Sequence, residues 1–462
     1  MDMFTRLPPE LIAPVLQSLP DLRSLFNVTI SSPYVFHFMG SSMGADVLDS
    51  ILQRPFSDLG LTPWIPQMLR LVALVRQCTP VNPPAADLSS FLTTHIMPTS
   101  YQNAQGERIP DLQSRPPACI PRTQLRDVMK PENNAIMPRE MLFLAWRIDR
   151  LAMSCFNFFH ERIRSSQPQH LADKCFRLVA LRWDHRPDGI PWGQPYPMDA
   201  GGKASWYEMQ RITLGFWSLQ LCYELSNAAA EGRLGWSDTD VEVLRDMGSG
   251  RCLAGFEKSS LWIAREPLWV ALTYVRHLEG SSDDSPCVGD INDADDSMGA
   301  FFNTGFRSLP GGYLRLPSPK NAKGVKLDWP PPAPPPPFSC TNPLDAATYH
   351  CHKVLVGCKG VRWAGPLLCP RGTPRLGEGL LFRPFRALGF GIWDDERLVA
   401  MEMLDDPDRK RPRRFQVWCQ DQAFTWMSML DRKQKEELQE YQEKRRLRLG
   451  TEEAGETAEV SN

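Results

Sequence analysis

The sequence predicts a mainly α-helical protein with a short N-terminal three-helix motif, a helical middle region and a smaller α+β region toward its C-terminal end. Three observations carry that expectation. Apolar residues run through long segments, above all 141–164 and 205–230, which exceed the length of ordinary strands. Fourteen tryptophans and a 42% hydrophobic content argue for a packed core. Only "FRALGFGIWDDERLVAMEML" (385–404) sets two apolar runs about a polar tetrapeptide, and it reads as a β-hairpin.

The first 40 residues divide into three short amphipathic pieces. In "LPPELIAPVLQSL", stepping about 100° per residue gathers Leu7, Leu11, Ile12, Val15, Leu16 and Leu19 on one half of a helix. Asp21 is placed to cap a second helix, "DLRSLFNVTI", with Leu22, Leu25, Phe26 and Ile30 as its apolar set. Pro33 then opens a third, "PYVFHFM". Pro14 falls inside the first helix, where it removes the bond to the Glu10 carbonyl and costs about 3 kcal/mol unless the helix bends.

Residues 41–140 read as a proline-rich, partly irregular connection with one or two helices, among them "WIPQMLRLVALVRQC". The region 141–278 is helical. Its first helix is apolar nearly all round until a basic last turn, and "HLADKCFRLVALRW" and 205–230 continue the pattern. Ser237 and Asp240 form a capping pair for "DVEVLRDM", and Pro267 interrupts "SSLWIAREPLWVALTYVRHLE". The acidic stretch 279–298 reads as a solvated loop, and 299–337 is a linker ending in a polyproline spacer. The α+β region is expected over 338–430 and a charged helix over 431–449. Residues 450–462 are expected to form an acidic, disordered tail.

Chemistry-bearing motifs are scarce. "GGKAS" has Pro197 where a phosphate loop needs its first glycine and Ala204 where it needs a hydroxyl. "DINDADDSM" departs from a calcium loop at Ala294, Asp295 and Phe301. Cys340, His350, Cys351, His352, Cys358 and Cys369 are residue types that suit zinc. Ten, six and ten residues separate the successive cysteines, however, whereas zinc knuckles pair ligands two to four apart. Buried thiols are the expectation there, and no cofactor is assigned.

A formal net charge of −2 supplies no whole-chain attraction for nucleic acid or anionic membrane. The basic run "RKRPRR" (409–414) fits either a nuclear localisation signal or a solvated hairpin exit. No apolar run of membrane-spanning length exists, and the twelve cysteines include no CxxC pair. The chain is expected in the cytoplasm, the nucleus or both.

The opening residues resemble an F-box, a three-helix module that packs on the Skp adaptor of cullin–RING ubiquitin ligases. Leu7, Pro8, Glu10 and Leu11 match the start of its pattern, and Val15 and Leu16 its aliphatic pair. Leu19 matches the next leucine, and Asp21, Leu22 and Leu25 the second block. "ISSPYVFHFM" is similar to the ending of many fungal members, and 385–404 with the charged helix beyond it resembles a block of fungal F-box-like proteins of unassigned substrate. The resemblance implies an adaptor-binding set of Leu7, Pro8, Leu11, Ile12, Val15, Leu16, Leu19, Leu22 and Leu25. It also implies a non-enzymatic ligase subunit that presents an unidentified protein. The alternative is a non-catalytic scaffold or nuclear interaction protein whose first helices pack internally.

Overall fold

A computed structural model describes residues 2–54, 60–62, 64–96, 101–102, 108–109, 124–129, 138–170, 193–199, 201–245, 266–278, 336, 350, 353–354, 383–404, 424–434, 436 and 440. They are mainly helical, and the described strands are two antiparallel pairs of two residues each, β1 (Tyr101–Gln102) with β2 (Arg108–Ile109) and β3 (Gln169–His170) with β4 (Gln194–Pro195). None of the described helices is long and apolar enough to cross a membrane. The chain divides into two compact units, Met1–Phe158 with Ala204–Cys358, and Phe159–Lys203 with Lys359–Asn462.

In the first unit a 3₁₀ turn (Met3–Arg6) leads into α1 (Pro9–Gln17), α2 (Leu22–Ser31), α3 (Pro33–Phe38) and α4 (Ser42–Leu52). Then come α5 (Trp64–Gln77), α6 (Leu88–Phe91) running into a π turn (Leu92–Ile96), and α7 (Leu125–Val128). The boundary between units falls inside α8 (Pro138–Arg164); α9 (Trp206–Ala230), α10 (Asp238–Arg245) and α11 (Glu266–Leu278) complete the described helices of the first unit.

Helix α9 is the centre of this unit, buried on nearly every side and packed against α5, α10 and α11. A Ser205–Glu208 capping box starts it, each side chain bonding the other's backbone amide. The polar side chains it buries find specific partners. Gln210 accepts from the Thr62 amide and donates to the Gly60 carbonyl, Arg211 donates to the carbonyls of Lys353 and Val354, and Glu224 accepts from Arg76 and Gln220. The described part of helix α11 runs from Glu266 to Leu278, with Pro267 in its second position.

The link among α4, α5 and α7 is a buried ion pair. Arg70 donates from Nε and Nη2 to Asp49 Oδ1, and the Leu125 amide donates to Asp49 Oδ2.

The second unit corrects the hairpin expected over 385–404. Those residues form α12 (Arg383–Arg386), a turn, and α13 (Asp395–Ala400). The polar tetrapeptide is a helix start: the Asp394 carboxylate accepts from the Arg397 amide at 2.8 Å. Gly389, at φ +82°, makes the turn and lies so close to the Trp393 ring that a Cβ would sit 2.6 Å from it. Phe385, Phe390, Trp393, Leu398 and Trp426 form the core.

Several expectations lie outside the described residues. They are the helix over 171–183, the first part of the helix before Glu266, the acidic loop 279–298, the basic run 409–414 and the tail 450–462. Of the linker 299–337 only residue 336 is described, and of the charged helix 431–449 only part.

Candidate functional site

The N-terminal helices are built from local caps. Asp21 accepts from the Ser24 amide at 2.7 Å to start α2, and Ser32 accepts from the Val35 amide to start α3. Asp2, which no sequence pattern singles out, joins them. Its carboxylate accepts from the Phe4 amide, from Ser32 Oγ at 2.6 Å and from the Tyr34 amide at 3.2 Å, tying the 3₁₀ turn to the start of α3. The Ser32 hydrogen bond foremost holds the Asp2 carboxyl below its ordinary 3.8. Pro9 occupies the first position of α1, and the helix continues through Pro14 to Gln17.

The structure splits the nine apolar residues singled out in the sequence. Ile12, Leu16, Leu22 and Leu25 are buried within the first unit. Helix α1 packs on α4, whose Ala45, Val47, Leu48, Ile51 and Leu52 are buried, and Arg54 donates to the Gln17 carbonyl at the far end. Phe26 of α2 stacks on Trp146 of α8 with ring centres 5.4 Å apart and meets the Phe143 edge at 5.1 Å.

The other edge of the same apolar arc faces outward. Leu11 is 51% exposed and Val15 41%, with Leu7 and Leu19 half-buried and Pro8 exposed. Among the described residues five large apolar side chains are exposed, and four fall in the first 43 positions: Met3 at 72% and Met43 at 42% join Leu11 and Val15. Scattered exposed aliphatics need no explanation, but Leu11 and Val15 are four residues apart and share one face. The arc on α1 is wider than the chain's own core covers.

The zinc-type residues gain no support as a site. Of the six, only His350 is among the described residues; Cys340, Cys351, His352, Cys358 and Cys369 lie outside them. His350 is buried, its Nδ1 lies 2.9 Å from the Tyr207 hydroxyl, and burial lowers its pKa from 6.5. No group of three potential ligands occurs among the described residues.

One arrangement in the second unit has the outline of a hydrolytic triad. His170 Nε2 is 2.8 Å from Glu402 Oε2, and its Nδ1 is 3.5 Å from Thr425 Oγ1. The exposures run the wrong way for acyl transfer. Thr425, the one nucleophile of the three, is 2% exposed, whereas the Glu402 side chain is 64% exposed. His170 also lies flat on Tyr196 at 4.0 Å, and the Tyr196 hydroxyl donates to the Met401 carbonyl. The cluster is a structural clasp. Cys78, Cys155 and Cys222 are buried with thiol pKa values raised by desolvation, so none is an activated nucleophile.

No protein-family model, curated protein or solved structure matches the chain.

Proposed function

We propose that the chain is an F-box-like substrate-receptor subunit of a Skp–cullin–RING ubiquitin ligase. It binds the Skp-type adaptor through the outward edge of α1 and an unidentified protein through the rest. The observation that supports this reading is the exposure of Leu11 and Val15 on the helix that carries the Leu-Pro-x-Glu-Leu pattern. A fully buried Leu or Val contributes about 1.5–3 kcal/mol, so Leu7, Leu11, Val15 and Leu19 are a reasonable anchor for an adaptor groove. The contribution to ligation is proximity, with no catalytic group required of this chain.

The internal-packing alternative draws on Ile12, Leu16, Leu22 and Leu25, which the chain's own helices cover. It gives no account of the Leu11 edge.

Burial decides which variants test the proposal. Leu16 is fully buried, so Leu16→Asp breaks the fold and reports nothing about a partner. Leu11→Asp and Val15→Asp place charges where solvent already reaches. Co-purification of the full-length chain with a Skp-type adaptor, lost in these two variants while their circular dichroism and melting stay as in wild type, is the expected result. A folded wild-type chain that captures no adaptor overturns the proposal.

A further inference from the structure

The exposed side of α1 has a second row beside its apolar one. Glu10, Pro14 and Ser18 are all exposed and stand four residues apart, next to the Leu11–Val15 row. Glu10 is the only charged residue of the helix. Pro14 has no N–H, so the donor that occupies the Glu10 carbonyl in an ordinary helix is missing. Ser18 gives its hydroxyl proton to the Val15 carbonyl at 2.7 Å, leaving its oxygen an acceptor. The row therefore offers a carboxylate, a backbone carbonyl lacking its helical donor and a hydroxyl oxygen, and it offers no side-chain donor.

Resting on the function proposed above, we infer that the adaptor surface covering α1 joins an apolar groove to a lysine or arginine set against Glu10 and its carbonyl. Pro14 is then part of the recognition surface. Charge complementarity selects this occupant. A desolvated carboxylate and carbonyl need donors from the partner, and a basic side chain supplies several. A second copy of the chain does not supply them, since two α1 faces would set acceptors against acceptors. The face is also too short for a symmetric pair: a nine-residue helix falls well below the roughly 800 Å² per partner of a stable interface.

The proline makes the inference separable from a folding effect. Proline inside a helix is unfavourable, so Pro14→Ala raises the melting temperature of the chain while giving the Glu10 carbonyl an internal donor. Glu10→Gln keeps the shape and removes the charge. The experiment is titration calorimetry of a purified Skp-type adaptor with full-length wild type, Pro14→Ala and Glu10→Gln, at low and high salt.

About tenfold weaker binding is expected for Pro14→Ala despite its higher melting temperature. Glu10→Gln is expected to bind severalfold more weakly and to lose most of the salt dependence. Wild-type affinity in either variant overturns the inference and leaves the adaptor role standing. A folded wild type that binds no adaptor overturns both.

Discussion

Glu402 has backbone φ +56° without being glycine. It stands just past α13, where the Met403 amide bonds the Leu398 carbonyl in the αL helix ending that glycine usually occupies. For an L residue that conformation costs about 1 kcal/mol. In return its carboxylate reaches His170 at 2.8 Å, but an exposed hydrogen bond of this kind contributes only about 0–1 kcal/mol. Glu402→Gly is therefore expected to leave the second unit as stable as before or more stable by up to about 1 kcal/mol. A urea titration checks this, and a clear loss of stability would show the His170 clasp to be worth more than its exposure suggests. Nothing in the sequence marks Glu402, because its conformation is set by the helix before it and its partner lies far away in the chain. Asp2 is the same kind of case, a capping side chain whose partners at Ser32 and Tyr34 come from a different element.

Helices are legible in the sequence where the apolar period is long. The expected bounds of α5, α8 and α9 agree with the structure to within a few residues: each runs for at least 14 residues, α5 and α8 with an apolar period and α9 as an apolar stretch too long for a strand. The segment 385–404 misleads because two apolar runs about a polar tetrapeptide fit both a hairpin and a helix whose cap is the tetrapeptide. Asp394 decides for the cap by accepting the Arg397 amide. On α1 the sequence marks the apolar arc but not its division, which depends on where α4 lies; the helical spacing of Val47, Leu48, Ile51 and Leu52 marks α4 as a helix but not which side of α1 it covers.

Packing between elements brings a sharper prediction. A Cβ on Gly215 of α9 would sit 2.2 Å from the Pro267 carbonyl oxygen of α11, a backbone atom that no side-chain rotation can move. Gly215→Ala must push α9 and α11 apart, and the expected cost is about 2–3 kcal/mol, opposite in sign to the gain in helix propensity. A lower urea midpoint is the outcome to look for; a midpoint at or above the wild-type value would mean that these helices do not approach so closely.

At the scale of the first unit, buried titratable groups bound the pH range over which it is most stable. His95 packs on Phe91 at 5.2 Å and His350 lies beside Trp206 and Tyr207, and burial lowers the pKa of both below 6.5. A depressed pKa means that the folded state resists protonation. Their contribution is present above pH 6.5 and is lost as the pH falls below it. The lowered carboxyls of Asp2 and Asp87 act on the same side only below 3.8, so the histidines have the intervening window among these shifted groups. On the alkaline side burial raises the Cys222 thiol from 9.0 to about 12 and pushes Cys155 upward too. Those two contributions persist below pH 9 and fade as the pH rises toward 12. The unit is thus expected to be most stable between about pH 6.5 and 9, with its acid flank set by two neutral histidines. Urea midpoints at pH 7.5 and 5 are the check. Wild type is expected to be weaker at pH 5, and His350→Phe, which keeps a ring between Trp206 and Tyr207 but cannot take a proton, to show a smaller difference between the two. Equal wild-type midpoints would mean that both rings reach solvent on acidification, and then neither histidine is part of the packed interior.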